Sequence, residues 1–317
     1  MPVLSANQIG ILASEAISSQ EIIGEVIAVF PSSFYVRSRT DELLFFTNRA
    51  LRSPITVNLT YKGDFTEIIK PPTTLYHHHQ GLGNSELSID VTRGLPPMKM
   101  TPLIGYPDFE GLEQTVNVLA TILSVIDTRG STLDPDQLTL HDSVTDFVTE
   151  GILTLRNKED YFEFKRAAFK IIGLGTGFTP SGDDFLLGFL VVYNSLADTV
   201  GRMPLHLEFD RLTQRTNWIS AKLVDYAQHS QVDEQMLHLI QSLSNRVGDT
   251  VMAFETLIPR GHTSGIDIAA GAIFALSLSC DIALGQTRTE KIASKLGLGY
   301  DESAGANLIL KPLTETA

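Results

Sequence analysis

One pattern occurs twice in this chain. At residue 181 the sequence reads SGDDFLLGFL and at residue 264 it reads SGIDIAAGAI, so Ser-Gly-x-Asp-x-x-x-Gly with an apolar tail is repeated. Each copy follows a polar loop with its own glycine, GLGTGFTP before the first and PRGHT before the second. Each then runs into a helix too apolar to face solvent. Within a copy the aspartate and the last glycine are four residues apart, Asp184 with Gly188 and Asp267 with Gly271, and share one helix face. A glycine inside a helix costs about 1 kcal/mol relative to alanine. Its recurrence at one place points to close backbone approach, of one copy to the other. If the two helices cross there, Ser181, Asp184, Ser264 and Asp267 converge at their N-terminal ends.

The first junction, KIIGLGTGFTPSGDDFLLGFL, reads as helix, glycine-rich turn, helix. Thr179 fits the N-cap, Pro180 the first helical position, and Asp183 and Asp184 the first turn, where each complements the helix dipole by about 0.3–1 kcal/mol. A Walker A loop requires Lys and Ser/Thr where the two aspartates stand, and a dinucleotide fingerprint follows a strand, whereas DYFEFKRAAFKII is helical. Both phosphate motifs are excluded.

What remains is a conflict: glycine amides that suit an anion beside carboxylates that repel one. It has three resolutions. The aspartates only cap their helix; or a hard cation such as Mg²⁺ bridges carboxylate to phosphate; or the ligand is mixed, anionic at one end and N–H-bearing at the other. In the mixed case the amides of Gly173, Gly175 and Gly177, with those near Ser181 and Gly182, face the anion. Asp184 and Asp267 then accept from the ligand's N–H-bearing end, and His262 or Arg260 polarises its carbonyl or protonates a leaving nitrogen. Thr179, Asp183, Ser264 and Gly265 complete the ligand-binding set, and the catalytic candidates are Asp184, Asp267 and His262. A small anionic or ureido acid is the substrate class this pattern suits.

Composition narrows the partners. Lys and Arg number 24 against 37 Asp and Glu, a net charge of −13, so no basic stripe exists to neutralise nucleic-acid phosphates or an anionic membrane. The single cysteine, Cys280 in SLSCDIAL, excludes an internal disulfide framework and reads as an inert core thiol. The opening MPVLSANQIGILASEAISSQ has no basic n-region and already carries Glu15, against a cleaved signal. The apolar runs FLLGFLVVY and IAAGAIFALSLSC stop short of the roughly 18 residues that span a bilayer. A cytoplasmic globular protein is expected.

Along the chain, a short helix-like opening with Ser5 as N-cap precedes a β-rich stretch over residues 22–91. IIGEVIAVF, SFYVRS, ELLFFTN, ITVNL and LSIDV alternate with turn formers, which predicts a small antiparallel sheet or barrel. Prolines in RGLPPMKMTPLIGYP forbid a regular helix there, and from Glu110 onward the pattern is helical. The fold class is therefore α+β, with a β-rich domain over 1–95 and a helical domain over 106–317 that carries both motifs. The run HHHQGLGN at 77–84 can place His77 and His79 on one side of an extended segment, but no Cys or acidic partner stands at a ligand spacing. It reads as an exposed loop.

GLGTGFTPSGDDFLLG and GHTSGIDIAAG, behind a β-rich segment beginning GEVIAVFPSSF, resemble the domain-of-unknown-function family that contains the AllH subunit of oxamate carbamoyltransferase. The resemblance runs from about Gly24 to Ile282. It implies a role in purine (allantoin) breakdown beside an FdrA-like subunit and a third protein, in an assembly that moves a carbamoyl group between oxalurate and phosphate. A noncatalytic subunit, a regulatory anion- or nucleotide-binding protein, and an independent enzyme on another small carboxylate or amide remain open beside that reading.

Overall fold

The computed structural model describes residues 3–18, 22–78, 81–92, 95–98, 107–158 and 160–299. His79 and most of the proline-rich boundary segment lie outside the described residues. The chain divides into two compact units, residues 1–102 with 230–238, and residues 103–229 with 239–317.

The first unit is built on nine strands: β1 (Val3–Gly10), β2 (Ile22–Phe30), β3 (Ser33–Ser38), β4 (Leu43–Thr47), β5 (Thr56–Leu59), β6 (Thr73–His78), β7 (Gly81–Gly83), β8 (Ser88–Asp90) and β9 (Leu95–Met98). Their order is β5-β4-β3-β2-β6-β7-β8-β1-β9, and a further β1–β5 pairing closes the first eight into a barrel. Alternation fills the interior: Phe34 and Val36 from β3, Leu44 and Phe46 from β4, Leu75 from β6 and Ile89 from β8 are all buried there. Phe34 stacks on Phe46 at 4.6 Å and meets Phe65 edge-on at 5.3 Å. An eight-stranded barrel is just wide enough to be filled by such side chains.

The sheet-or-barrel expectation resolves as a barrel, and its ladders are mixed. β2–β3, β3–β4, β2–β6, β6–β7, β7–β8 and β1–β5 are antiparallel, whereas β4–β5 and β1–β8 are parallel. The expected opening helix with Ser5 at its cap is corrected. Residues 3–10 form the closing strand, Ser5 O accepts from the Thr60 amide, and the helix begins only at Ile11. Pairing on both edges outweighs local propensity in this segment. His77 and His78 are corrected likewise from loop to strand, in the β6–β7 hairpin. Prolines 96 and 97 sit in β9, which among the described residues pairs with β1 alone, at the edge of the sheet, where a missing N–H is tolerated.

The second unit is helical and organised on the two repeated motifs. The first motif helix is Ser181–Leu196 and the second is Ser264–Leu284. Both are buried on nearly every side, as their apolar sequences require. The second is longer than the apolar run suggested, and by length and composition it could cross a membrane. Most of it is buried inside the protein instead.

The two helices cross on their glycines. A Cβ on Gly188 would stand 2.0 Å from the carbonyl oxygen of Ile268, and a Cβ on Gly271 would stand 1.9 Å from that of Phe185. Each glycine therefore packs on the backbone of the residue that follows the other copy's aspartate. Phe185 meets Phe274 just beyond, at 5.8 Å, and a π turn over Phe147–Ile152 brings Phe147 against Phe185 and Phe189. At the far end of the second motif helix Asp281 accepts from the amides of Arg288 and Thr289 and pairs with Arg156. Burial pushes the neighbouring Cys280 thiol up to about 12, the inert state its sequence context implied.

Gly188→Ala and Gly271→Ala should each destabilise the chain by about 3 kcal/mol or more in thermal denaturation, because the added methyl meets backbone that cannot rotate away. Gly248→Ala, at a helical glycine with nothing within 4 Å of the new Cβ, should be neutral or stabilise by up to about 1 kcal/mol.

Candidate functional site

The loop leading to the first motif helix is tied down by Asp183. Gly173, Gly175 and Gly177 have φ of 78°, 103° and 111°, a region glycine enters without cost. The Gly173 amide donates to Asp183 Oδ1 at 2.7 Å, and Asp183 Oδ2 accepts from Ser220 Oγ at 2.6 Å and from the Thr216 hydroxyl. Asn217 Nδ2 donates to Phe178 O at 2.9 Å. Asp183 thus joins its own helix, the glycine loop and the start of the Trp218–Gln228 helix. Burial pushes its carboxyl up and the three hydrogen bonds pull it partly back. Pro180, not Thr179, holds the N-cap position, and Thr179 turns its hydroxyl to Asp184 Oδ2 at 2.9 Å.

The two copies use their Ser-Gly pair alike. The Gly182 amide donates to Leu174 O at 3.0 Å and the Gly265 amide to Arg260 O at 2.9 Å. A Cβ on either glycine would lie 2.0 Å from a backbone carbonyl just upstream, Ile171 O at the end of the preceding helix or Leu257 O. The preceding loop folds back on the first helical turn in both. The amides of Gly173, Gly182 and Gly265 are therefore engaged within the protein. Gly175 and Gly177 lie on the exposed part of the loop and make no backbone hydrogen bond among the described residues.

One turn before the glycine crossing, the copies meet crosswise. Ser264 of the second lies 3.3 Å from the Thr179 hydroxyl and faces Asp184 of the first, while Ser181 of the first faces Asp267 of the second. Asp184 is 4 % exposed and Asp267 fully buried. Burial raises Asp184 to about 7, and repulsion from Asp267 adds to the rise; the hydroxyls of Ser264 and Thr179 and the charge of Arg260 oppose it. Burial raises Asp267 to about 6, opposed by the Thr132 amide and by the hydroxyls of Thr132, Ser181 and Thr263. A low-dielectric site disfavours two adjacent charges, so protons stay on the pair into the neutral range.

Thr132, which sequence reasoning missed, completes the site. Its amide donates to Asp267 Oδ1 at 2.7 Å. It stands in DTRGSTLDPDQ, a loop folded on Asp134, whose carboxylate takes the Gly130 amide at 2.6 Å and the Asp136 amide at 3.0 Å. Gly130 lies beside Thr263 at the second motif. The signal was available as a Gly/Asp/Pro cluster between helical runs, but nothing local ties it to residue 267. Asp267 Oδ2, Ser181 Oγ and Thr132 Oγ1 are buried and make no hydrogen bond of full geometry, although the two hydroxyls face the Asp267 carboxylate.

Of the expected set, Asp184, Asp267, Ser181, Ser264 and Thr179 come together, with Arg260 in electrostatic reach. His262 stays exposed, in electrostatic reach of Asp127, the partner of Arg129. For a cation the site offers the two carboxylates and their hydroxyls. Among the described residues no group of three or more His, Cys, Asp or Glu side chains gathers as metal ligands.

Residues 171–276, which span both motifs, match the family of oxamate carbamoyltransferase subunit AllH. The resemblance drawn from the motifs is thereby upheld over that segment. No solved structure matches the chain.

The raised pair has a consequence for stability. An unfolded aspartate ionises near pH 4, whereas the folded carboxyls keep their protons to about 6 and 7. The folded chain binds more protons in that window, so this pair makes stability fall as pH rises from about 4 to 7. Asp184→Asn should flatten the fall, seen as a smaller Tm difference between pH 5 and pH 8 than in the unaltered chain. Asp183→Ala should instead cost about 2 kcal/mol or more at either pH, because it strands three donors.

Proposed function

We propose that this chain is the subunit of a carbamoyltransferase that holds the carbamoyl-bearing substrate, a small ureido or carboxamide acid, at the crossed ends of its two motif helices. The observation that carries the reading is the buried pair Asp184 and Asp267, delivered by two copies of one motif to one place with acceptor capacity left over. Carbamoyl transfer from oxalurate to phosphate makes a bond from a phosphate oxygen to the carbamoyl carbon, breaks the bond from that carbon to the oxamate nitrogen, and leaves a proton to be placed on that nitrogen. A carboxyl that keeps its proton to about 7, as Asp184 does, is suited to supply it. For the anionic end of the substrate the candidates are the Gly175 and Gly177 amides, on the exposed part of the loop, and Arg260, in electrostatic reach of Asp184. His262, exposed beside the second motif, is left a polar contact at the entrance, and the acid's role passes to Asp184.

The family's role as a subunit supports a division of labour with FdrA-like partners. The depth of the pair favours a second reading, in which the chain is a noncatalytic subunit whose site only senses a ligand. Turnover separates the two. Reconstituted with its partner subunits, phosphate and oxalurate, the unaltered chain should yield carbamoyl phosphate, and Asp184→Asn should lower kcat by about a hundredfold, the usual scale for loss of a general acid. An Asp184→Asn assembly with unchanged kcat would leave the noncatalytic reading standing.

A further inference from the structure

We infer that Asp184 delivers its proton through Thr179: the Thr179 hydroxyl touches the substrate, hands a proton to the leaving nitrogen and takes the next one from Asp184, while Ser264 of the second copy holds it in line. The inference rests on the reading above that Asp184 is the acid, and it names the group through which a buried carboxyl reaches the substrate.

Proton transfer needs heavy atoms about 2.6–3.2 Å apart, and a carboxyl that is 4 % exposed offers almost no face to a substrate nitrogen. The Thr179 hydroxyl lies 2.9 Å from Asp184 Oδ2, and Ser264 Oγ lies 3.3 Å from Thr179 Oγ1. Both hydroxyls are only half-buried, and the residues next to them in the chain, Gly177, Phe178, Gly261 and His262, are exposed. Thr179 and Ser264 therefore connect the carboxyl to the surface of the two motif loops. The charged groups facing Asp184 are Asp267, which raises it, and Arg260, which opposes the rise.

A hydroxyl donates and accepts at once, which is what a relay requires. With Asp184 ionised, Thr179 donates to Oδ2; with Asp184 protonated the bond reverses, and the Thr179 hydrogen is free to turn outward. In the step itself the Thr179 O–H bond breaks as an N–H bond forms on the oxamate nitrogen, whose electron pair comes from the broken bond to the carbamoyl carbon. The Asp184 O–H bond breaks as that of Thr179 is restored. The attacking hydrogen phosphate gives up one proton, which returns to Asp184, so no proton is gained or lost over the cycle. The second copy has no counterpart. His262 stands where Thr179 does, two places before the motif serine, and is exposed. Asp267 takes its hydrogen bond of full geometry from the Thr132 amide at 2.7 Å, a donor that does not exchange places with an acceptor.

Turnover of the reconstituted assembly with phosphate and oxalurate tests the relay. Thr179→Val, similar in shape but without the hydroxyl, should lower kcat about a hundredfold, the scale expected for Asp184→Asn, and Thr179→Ser should restore most of it. In the unaltered assembly kcat should fall as pH rises past about 7; Thr179→Ser should keep that fall and Thr179→Val should flatten it. The double variant Thr179→Val with Asp184→Asn should be no more than about twofold slower than Asp184→Asn alone, because two groups on one path do not add. Melting curves verify that each variant is folded. Thr179→Val with unchanged kcat, or with a lowered kcat that keeps the fall with pH, overturns the relay. So does a double variant slowed by the product of the two single effects, the result expected if Thr179 is merely structural. Asp184→Asn with unchanged kcat overturns the acid and the relay together, whereas a slow Asp184→Asn beside an unaffected Thr179→Val removes the relay and leaves the acid standing.

Discussion

Everything in the helical unit depends on one contact, the crossing of two helices at backbone distance. Gly188 and Gly271 each touch a carbonyl of the opposite helix where a methyl group would overlap it. Such a contact fixes both the separation and the register of the pair, since neither helix can slide without driving a side chain into the other's backbone. Because aspartate and glycine stand one turn apart in each copy, the crossing also fixes where the carboxylates go. They emerge one turn before it, at the two N-terminal ends, each facing the other copy's serine.

That arrangement makes a site by burying charge that water would otherwise solvate. Desolvation dominates the behaviour of all three motif aspartates, but its consequences differ with the partners. Asp183, next in sequence to Asp184, is satisfied by an amide and two hydroxyls and serves as a clamp between loop and helices. Asp184 and Asp267 lie close enough for the charge of one to raise the other, and they hold protons near neutrality. Adjacent residues of one type thus meet different partners, Asp183 tying the loop to the helices and Asp184 facing the second copy's serine and aspartate. A helix turns by about 100° per residue, so consecutive side chains meet different surroundings.

The barrel illustrates how far local sequence reasoning carries. Strands β2 to β5 were legible because β-branched and aromatic residues alternate between turn formers. β1 was not, because VLSANQIG runs without a break into the helical ILASEAIS and becomes a strand only through partners at residues 57–59, 88–90 and 95–98. Parallel pairing of β1 with β8 likewise depends on residues far apart in the chain. In the helical unit the same limit hid Thr132: its own loop is an ordinary polar turn, and its meaning comes from an amide aimed at an aspartate 135 positions away.

By itself, then, the sequence determined the α+β division, the two apolar helices, their glycine crossing and the meeting of Ser181, Asp184, Ser264 and Asp267, because helical periodicity and the intolerance of a helix for glycine are local rules. Tertiary structure alone decided which amides were already taken, that Asp183 is a clamp, that His262 stays at the rim and that the two copies are unequal. Those outcomes turn on which hydrogen-bond partners distant loops bring to a buried atom, and a repeated motif cannot encode a difference that lies outside its repeat.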